Sequence, residues 1–426
     1  MDMSPPTKAS PYFDAKEKMS QARRQRYYNQ LLIEMIRLGY EKSSRVKKVF
    51  QERNIDPLMI ESVGDLEKLP IISREELVRL EKEEPPYGGL SAKDVETDRI
   101  FTSPGPVYEP HLTSNDPIWA RGYYAAGYRK GDVVLNAFSY HMVTAGLTFH
   151  DGLRRVGATV VPSGASTTEN QVQLIRDLGV TCYTGTPSFL MAIINKAGEM
   201  GYHFKNDFKV KRASFVAEPL QPSLREKFEK VYGIDTYQMY GATEVGDIAY
   251  ECEGKNGWHI CEEVIVEIVD PSTGKQVNPG ELGEVVVTRL NHLFFLFRFG
   301  TGDLSRIIED RCSCGRTSVR LAGIFGRVGE ATKVRGMFIA PSQLRVVSSR
   351  LGGPRLQAIV DRDGFKDILT LRLEIEGEGV ENSSAHLQVE NLFKEICTVK
   401  IDKLELIEKG TLTEKDSLII DRRTWK

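Results

Sequence analysis

The sequence predicts an α/β fold: a large N-terminal α/β region with a β-subdomain, followed by a small α+β C-terminal domain. Three observations lead to this prediction. Apolar strand-like runs alternate with helical runs between about residues 130 and 215. Short strand signals punctuated by Pro and Gly follow residue 241, and the segment after residue 329 mixes both patterns. We therefore expect one domain over residues 1–329, with its β-subdomain around 241–325, and a second domain over 330–426.

The individual helices and strands follow from the spacing of apolar residues. From about residue 15 to residue 53, apolar residues recur every three or four positions, which predicts helix. Ser73 stands before two acidic residues in a pattern typical of a helix N-cap. Strands are predicted in GDVVLNAF, ATVVPSG, VTCYTGTPS and VKRASFVAE, and helices in GLTFHDGLRRVG, TENQVQLIRDLG, FLMAIINKAGEMG and QPSLREKFEKVYG. This alternation predicts a parallel sheet, in which ligands bind at the carboxyl ends of the strands.

The composition argues against several classes of protein. The 426 residues are 41% hydrophobic and carry a formal net charge of -2, so we expect a packed core and no nucleic-acid partner. The N-terminus has no apolar signal-peptide core, and no apolar stretch reaches the ~18 residues of a membrane span. Six cysteines in a chain of this length do not indicate a disulfide scaffold, so we predict a reduced, cytoplasmic protein without membrane association.

Four residues have the spacing of a zinc site. Cys252 and His259 form a C-x6-H pattern, and Cys312 and Cys314 form a C-x-C-G turn. Thiolate and imidazole ligands in this number suit tetrahedral Zn²⁺, and four protein ligands would make the ion structural. Cys261 is an alternative to His259 as a ligand, and a set of unrelated buried thiols is the alternative to a metal site.

The stretch MYGATEVGD, which begins at Met239, places a hydroxyl and a carboxylate directly after a glycine turn. Gly241 permits the tight turn, the Thr243 hydroxyl could bond a phosphate, and Glu244 could hold Mg²⁺. A strand-to-loop turn with a solvated glutamate explains this short pattern equally well.

This stretch belongs to an ordered set of motifs. FVAEPL precedes it, and FGTGDLSRI and GIFGRVGEATKVRGMFIAPSQL follow it. In this order and spacing the set resembles the adenylate-forming ligase superfamily, and within it the phenylacetate–coenzyme A ligase-like proteins. The resemblance extends from the N-terminal helices through DLEKLP and TGTPSF to the terminal IIDRR. It implies the adenylate-forming ligase fold, with a mobile C-terminal domain and a hinge near residues 329–330.

The resemblance also implies roles for residues at matching positions. Those implied for nucleotide binding are Ser103, Ala217, Glu218, Pro219, Tyr240, Gly241, Ala242, Thr243, Asp303 and Arg327. Ala217–Pro219 would line the adenine, Asp303 would bond the ribose hydroxyls, and Glu244 would be the magnesium ligand. Those implied for the wall of the carboxylic-acid pocket are Tyr140, His141, Ala145 and Gly146. Lys415 matches the catalytic lysine of the C-terminal domain, with Lys409 as the alternative, and Glu244, Thr243 and Lys415 would be the catalytic residues.

The segment FTSPGPVYEP, residues 101–110, lies where the family's phosphate-binding loop is expected. That loop is normally rich in Ser, Thr and Gly and ends in lysine. This chain keeps Thr102, Ser103 and Gly105, whereas two prolines and Glu109 occupy other positions and the segment contains no lysine. We predict that Ser103 and the backbone around Gly105 supply the phosphate contacts.

The function implied is that of an acid–thiol ligase. It would use ATP and Mg²⁺ to convert an apolar, aryl carboxylic acid to an acyl-adenylate, and then transfer the acyl group to coenzyme A. The family resemblance also favours a homodimer. The alternatives are adenylation or AMP transfer without coenzyme A, and a nucleotide- or acyl-binding protein without turnover, which the altered loop favours.

Overall fold

The computed structural model of the chain describes residues 10–92, 96–103, 106–112, 119–335, 337–363, 366–375, 383–414 and 416–423. The chain folds into two compact units. The first unit contains residues 1–266, 286–301 and 308–322, and the second contains 267–285, 302–307 and 323–426. This division does not follow a single cut in the chain, and the domain boundary at residues 329 and 330 stays a prediction.

The helices largely agree with the apolar periodicity. They are α1 Gln21–Lys42, α2 Ser44–Glu52, α3 Arg74–Glu83, α4 Ala120–Ala125, α5 Thr144–Arg155, α6 Thr168–Asp177, α7 Pro187–Glu199, α8 Phe204–Asp207, α9 Pro222–Glu226, α10 Pro341–Arg350 and α11 Ser383–Cys397. Short 3-10 segments cover Ala15–Lys18, Pro57–Met59 and Val63–Lys68, and a π-helical turn covers Lys227–Val231. The predicted helix in QPSLREKFEKVYG is therefore a regular α-helix only to Glu226. Among the described helices, none combines the length and the hydropathy needed to cross a bilayer.

The strands, in chain order, are β1 Arg99–Ser103, β2 Val107–His111, β3 Val133–Asn136, β4 Thr159–Val161, β5 Cys182–Gly185, β6 Arg212–Phe215, β7 Asp235–Ala242, β8 Gly246–Glu251, β9 Trp258–Ile260, β10 Val264–Val269, β11 Gly283–Arg289, β12 Phe299–Ser305, β13 Ile307–Ile308, β14 Arg320–Leu321, β15 Gly326–Arg327, β16 Thr332–Val334, β17 Met337–Ile339, β18 Leu356–Asp363, β19 Lys366–Ile375, β20 Lys403–Glu408 and β21 Ile419–Asp421. Within the described residues they form five sheets, of which β1 with β2 and β16 with β17 are simple antiparallel pairs.

The first unit is built on a nine-stranded sheet in the order β13-β14-β9-β8-β7-β6-β5-β3-β4. Strands β3 to β7 pair in parallel, as the alternation of strands and helices predicted. Strand β7 then pairs antiparallel with β8, and β8 with β9. The sheet core is apolar, with Leu135, Val172, Tyr183, Ile193 and Phe215 all buried. The change from parallel to antiparallel pairing at β7 places the turn after β7 at the carboxyl edge of the parallel sheet.

The second unit contains the C-terminal α+β fold that the sequence predicts. Its sheet has the order β20-β19-β18-β21, in which β18 and β19 form an antiparallel hairpin and β20 and β21 pair in parallel with β19 and β18. Helices α10 and α11 contribute Leu344, Val347 and Phe393 to its core. A further sheet has the order β10-β11-β12-β15, and the division between the two units falls within β10, β11 and β12.

Candidate active site

The turn after β7 holds the predicted Thr-Glu pair. A Cβ atom on Gly241 would lie 2.3 Å from the carbonyl oxygen of Gly246 and 2.6 Å from Cη2 of Trp119, so only glycine fits there. The Thr243 hydroxyl lies 3.1 Å from a carboxylate oxygen of Glu244. Glu244 is buried, so the alternative interpretation of a solvated glutamate is wrong for this turn.

Glu244 forms an ion pair with Arg74, a residue that the sequence did not single out. Arg74 is the first residue of α3, and Ser73 caps this helix by accepting a hydrogen bond from the Glu76 N–H (3.2 Å). The guanidinium also donates to the Ser103 hydroxyl (3.1 Å). In the sequence, Arg74 is distinguished only by being a basic residue in an otherwise acidic first helical turn. That pattern is too common to indicate a functional site.

The altered loop belongs to the hairpin of β1 and β2. Ser103 is buried, and its hydroxyl donates to a carboxylate oxygen of Glu109 (2.7 Å) while accepting from Arg74. Burial raises the pKa of Glu109, and the hydrogen bonds from Ser103 and Thr243 and the charge of Arg74 oppose that rise. The Ser103 hydroxyl is therefore bonded within the protein. Pro104 and Gly105 lie outside the described residues.

The segment predicted to line the adenine follows β6. Ala217 has a φ of 68°, a left-handed conformation that costs a non-glycine residue about 1–2 kcal/mol. The Glu218 carboxylate accepts hydrogen bonds from the backbone N–H (3.2 Å) and the hydroxyl (2.7 Å) of Ser188 in the first turn of α7. Pro219 directly follows this bend. Tyr240 on β7 donates its hydroxyl to Thr301 (3.2 Å), and Ala242 ends that strand.

The predicted acid-pocket segment runs from the end of β3 into α5. The Tyr140 hydroxyl accepts from the Asn136 side chain (2.7 Å) and lies 3.1 Å from Nδ1 of His150. A Cβ on Gly146 would lie 2.2 Å from the Ser139 carbonyl oxygen, so this close approach requires glycine. Ala145 is half-buried, whereas His141 is exposed.

Three aromatic rings lie together beside this segment, and the sequence did not predict that Trp119 and Phe138 would join Phe149 there. Trp119 and Phe149 meet edge to face with ring centroids 4.5 Å apart, and Phe138 lies 4.6 Å from Phe149. The Trp119 ring also packs closely against Gly241, with Cη2 only 2.6 Å from where a Cβ would lie. The aromatic group thus connects the predicted acid pocket with the turn that carries Thr243. Aromatic residues scattered along a chain give no signal of such a grouping.

Two predicted nucleotide contacts lie in the second unit. Asp303 on β12 and Arg327 on β15 are cross-strand partners, and the guanidinium donates to the carboxylate at 3.0 Å. Gly302 has a φ of 73°, and a Cβ there would lie 2.7 Å from Nη2 of Arg327. Lys415 lies outside the described residues. The alternative Lys409 donates its backbone N–H to the Ile375 carbonyl (3.2 Å) at the end of β20.

The four predicted zinc ligands come together in the first unit. The Sγ atoms of Cys252, Cys312 and Cys314 and a ring nitrogen of His259 all lie within 4.8 Å of one another. His259 Nε2 is 3.3 Å from the Cys314 sulfur, and its Nδ1 is 3.1 Å from the Ser318 carbonyl oxygen. A backbone partner on Nδ1 fixes the ring with Nε2 facing the sulfurs, as in histidines that bind metals.

Cys261 is not in this group. The Cys261 thiol hydrogen-bonds the carboxyl group of Asp247. His259 is therefore the fourth member of the cluster, and the alternative of Cys261 is wrong for this geometry.

Asp247 makes stability depend on pH. Burial raises its pKa to about 8, and hydrogen bonds from Cys261 and the Trp119 backbone and the charge of Arg121 only partly oppose the rise. Because the unfolded carboxyl titrates near pH ~4, this group contributes stability that is lost as pH rises towards 8. Asp247→Asn should flatten the fall of the melting temperature between pH 4 and 8, leaving the slopes from Glu81 and Glu262, whose pKa values burial raises to about 7. An unchanged slope would contradict this.

Known proteins are similar to this chain along most of its length. Residues 112–292 match the AMP-binding enzyme family. The chain is 31% identical over 415 residues to the phenylacetate–coenzyme A ligase of Aromatoleum evansii, and this alignment covers 91% of this chain and 92% of that protein. It is 30% identical over 351 residues to the phenylacetate–coenzyme A ligase of Thermus thermophilus, with 79% and 78% of the two chains covered.

A solved structure shows the same fold. The open conformation of a 2-hydroxyisobutyryl-CoA ligase, in complex with 2-HIB-AMP and CoA, has a TM-score of 0.84 to this chain at 22% identity, covering 98% of this chain and 95% of that one. The predicted adenylate-forming ligase fold is confirmed. The chain belongs to the phenylacetate–coenzyme A ligase family and is an ATP-dependent, adenylate-forming acid–thiol ligase.

Proposed function

We propose that the acid this ligase activates is an apolar aryl acid of the phenylacetate type. The observation that carries the proposal is the identity of 31% to a phenylacetate–coenzyme A ligase across 91% of this chain. The aromatic group of Trp119, Phe138 and Phe149 beside the predicted pocket segment supports it, because aromatic rings pack well against an aryl group.

The reaction has two displacements. The acid carboxylate attacks the α-phosphorus of ATP, an oxygen–phosphorus bond forms, and the bond to the β-phosphate breaks to release pyrophosphate. The sulfur of coenzyme A then attacks the acyl carbon, loses its proton, and displaces AMP. In the first step the chain must orient the two reactants in line and offset the charge of the phosphates.

The residues after β7 suit the phosphate side of this chemistry. We propose that Glu244 holds Mg²⁺, since its carboxylate is buried beside the Thr243 hydroxyl, and Mg²⁺ takes one or two carboxylates together with phosphate oxygens. The ion would neutralise phosphate charge. Thr243 remains the proposed hydroxyl donor to a phosphate. Tyr240 and Ala217–Pro219 remain proposed adenine contacts, and the strained backbone at Ala217 is typical of a ligand-binding turn.

Asp303 and Arg327 are proposed to bind the nucleotide as a pair. Their ion pair aligns the carboxylate, whose oxygens can accept from two ribose hydroxyls. Lys415 or Lys409 is proposed to act in the adenylation step. The homodimer and the cytoplasmic location stay predictions.

The cysteine and histidine cluster is proposed to bind a structural Zn²⁺. Three thiols and one imidazole are the donor set of a closed tetrahedral site, and the four donor atoms already lie within 4.8 Å of one another. With all four positions filled by protein, the ion would have no place for substrate. Its role would be to hold the loop of Cys312–Arg316 against β8 and β9.

A second candidate function is a binding protein without turnover. The observation that favours it is that the Ser103 hydroxyl donates to Glu109, which leaves the loop with one donor fewer for a phosphate.

The two functions differ in pyrophosphate exchange. We expect Mg²⁺-dependent exchange of labelled pyrophosphate into ATP when phenylacetate or a substituted aryl acid is added, and much less with acetate or isobutyrate. Faster exchange with the aliphatic acids would overturn the aryl assignment. No exchange with any acid would favour the binding protein.

A further inference from the structure

We propose that Arg74 is the residue that binds the β- and γ-phosphates of ATP and offsets the charge of the departing pyrophosphate. This inference rests on the proposed adenylation, and it assigns a catalytic contact to a residue outside the motifs that define the family resemblance.

The first ground is the shortage of cations on the hairpin of β1 and β2. In the described parts of this hairpin, residues 99–103 and 106–111, the one lysine or arginine is Arg99. Its guanidinium bonds the Asp151 carboxylate at 2.5 Å, which directs it to α5. A triphosphate near the turn after β7 therefore needs a cation from another element of the fold.

The second ground is the position of Arg74. Its guanidinium contacts Glu244, the proposed magnesium ligand. It also contacts Ser103, which together with Thr102 supplies the hydroxyl groups that the loop retains from the family pattern. The Arg74 side chain is 36% exposed, whereas that of Glu244 is 2% exposed. One end of the guanidinium is thus anchored on a buried carboxylate, and part of the side chain remains accessible to an incoming anion.

The third ground is chemical. A guanidinium is always charged and presents its N–H donors as a planar fork that matches the oxygens of a phosphate. The anchoring residues hold this fork beside the proposed magnesium site, so little side-chain entropy would be lost on binding. Arg45 on α2 is another candidate for this phosphate contact, because it reaches the helix that carries Arg74. Its guanidinium is paired with Glu76 at 3.5 Å, however, and its side chain is only 17% exposed.

The fourth ground is the charge of the cluster. Glu109 bonds Ser103 and would repel a phosphate if it were ionised. Burial raises the pKa of Glu109, and the hydrogen bond from Ser103 and the positive charge of Arg74 oppose that rise. Arg74 pairs with Glu244, and its positive charge also acts on the carboxyl groups of Glu81 and Glu109.

In the reaction, the acid carboxylate forms its bond to the α-phosphorus while the bond from that phosphorus to the bridging oxygen breaks. The electron pair of the broken bond stays on pyrophosphate, and Arg74 would stabilise that developing charge. Ser103 would be a positioning residue, since its hydroxyl accepts from Arg74 and holds the guanidinium in place.

The test is calorimetric titration of ATP, pyrophosphate and AMP against the wild type, Arg74→Gln and Arg74→Lys. Arg79→Gln is the matched control, because Arg79 lies on the same helix and bonds the half-buried Glu76 and the exposed Glu83. Arg74→Gln should weaken ATP and pyrophosphate binding by about 10- to 100-fold and AMP binding by less than about 2-fold, since one charge-assisted contact is lost and AMP lacks the outer phosphates. The ATP and pyrophosphate affinities of Arg74→Lys should lie between those of the wild type and of Arg74→Gln. The affinities of Arg79→Gln should match those of the wild type.

Two results would overturn the assignment. One is an equal loss of ATP and AMP affinity in Arg74→Gln together with a lower melting temperature, which would show a structural role. The other is unchanged ATP and pyrophosphate binding in a folded Arg74→Gln. Pyrophosphate exchange by the wild type separates this question from the proposed function: absence of exchange with every acid counts against adenylation, whereas the binding comparison alone decides the role of Arg74.

Discussion

Glu244→Gln is expected to lower acid-dependent pyrophosphate exchange by about 100- to 1,000-fold, because a neutral amide cannot hold Mg²⁺ beside the phosphates. The substitution keeps the shape of the side chain. Arg74 is partly exposed, so the loss of its ion-pair partner should change the melting temperature by no more than about 3 °C. Exchange kinetics and thermal melts of the same preparations measure both effects.

Glu251→Gln provides the matched control. Glu251 is also buried, and both of its carboxylate oxygens lie 2.8 Å from Nη2 of Arg225. This variant should lower the melting temperature and keep most of the exchange activity. If Glu244→Gln retained exchange within about threefold of the wild type, Glu244 would not be the magnesium ligand, since loss of such a group typically costs far more.

Cys312→Ser is expected to abolish stoichiometric zinc binding and to lower the melting temperature by about 10 °C. Substitutions that remove a structural metal are among the few that lower the free energy of unfolding by ~4 kcal/mol or more. In a large domain, each kcal/mol lost lowers the melting temperature by about 2–4 °C. The measurements are elemental analysis of protein purified without added metal, which should show about one Zn per chain for the wild type, and thermal melts.

Cys397→Ser controls for the loss of a thiol. Cys397 is also buried and lies in the second unit, away from the cluster. It should leave the zinc content at the wild-type level. A metal-free wild type that melts no lower than a zinc-loaded sample would contradict the structural zinc site.

The sequence could predict the features that depend on local patterns. The parallel order of β3 to β7 follows from strand and helix periods that alternate over short connections, and the cap at Ser73 depends on residues three positions apart. The tight turn at Gly241 was visible for the same reason. The sequence could predict each of the two pairs of zinc ligands, because the members of a pair are close in sequence. It could not show that the two pairs meet in the fold.

What the sequence could not predict depends on side chains that meet across the fold. Glu244 and Arg74 come from different elements, and no spacing rule relates a helix start to a distant hairpin turn. The pairing of Ser103 with Glu109 was hidden because its geometry depends on the register of β1 against β2. The choice of His259 over Cys261 depended on Asp247, which bonds the thiol from a neighbouring strand.

The most direct test of the central claim is the products formed from ATP, Mg²⁺, phenylacetate and coenzyme A. We predict phenylacetyl–coenzyme A by mass spectrometry, with AMP and pyrophosphate released in equal amounts to the thioester, and no thioester when ATP is omitted. Release of AMP and pyrophosphate without any thioester, across a panel of aryl and aliphatic acids, would contradict the account, as would the absence of all three products.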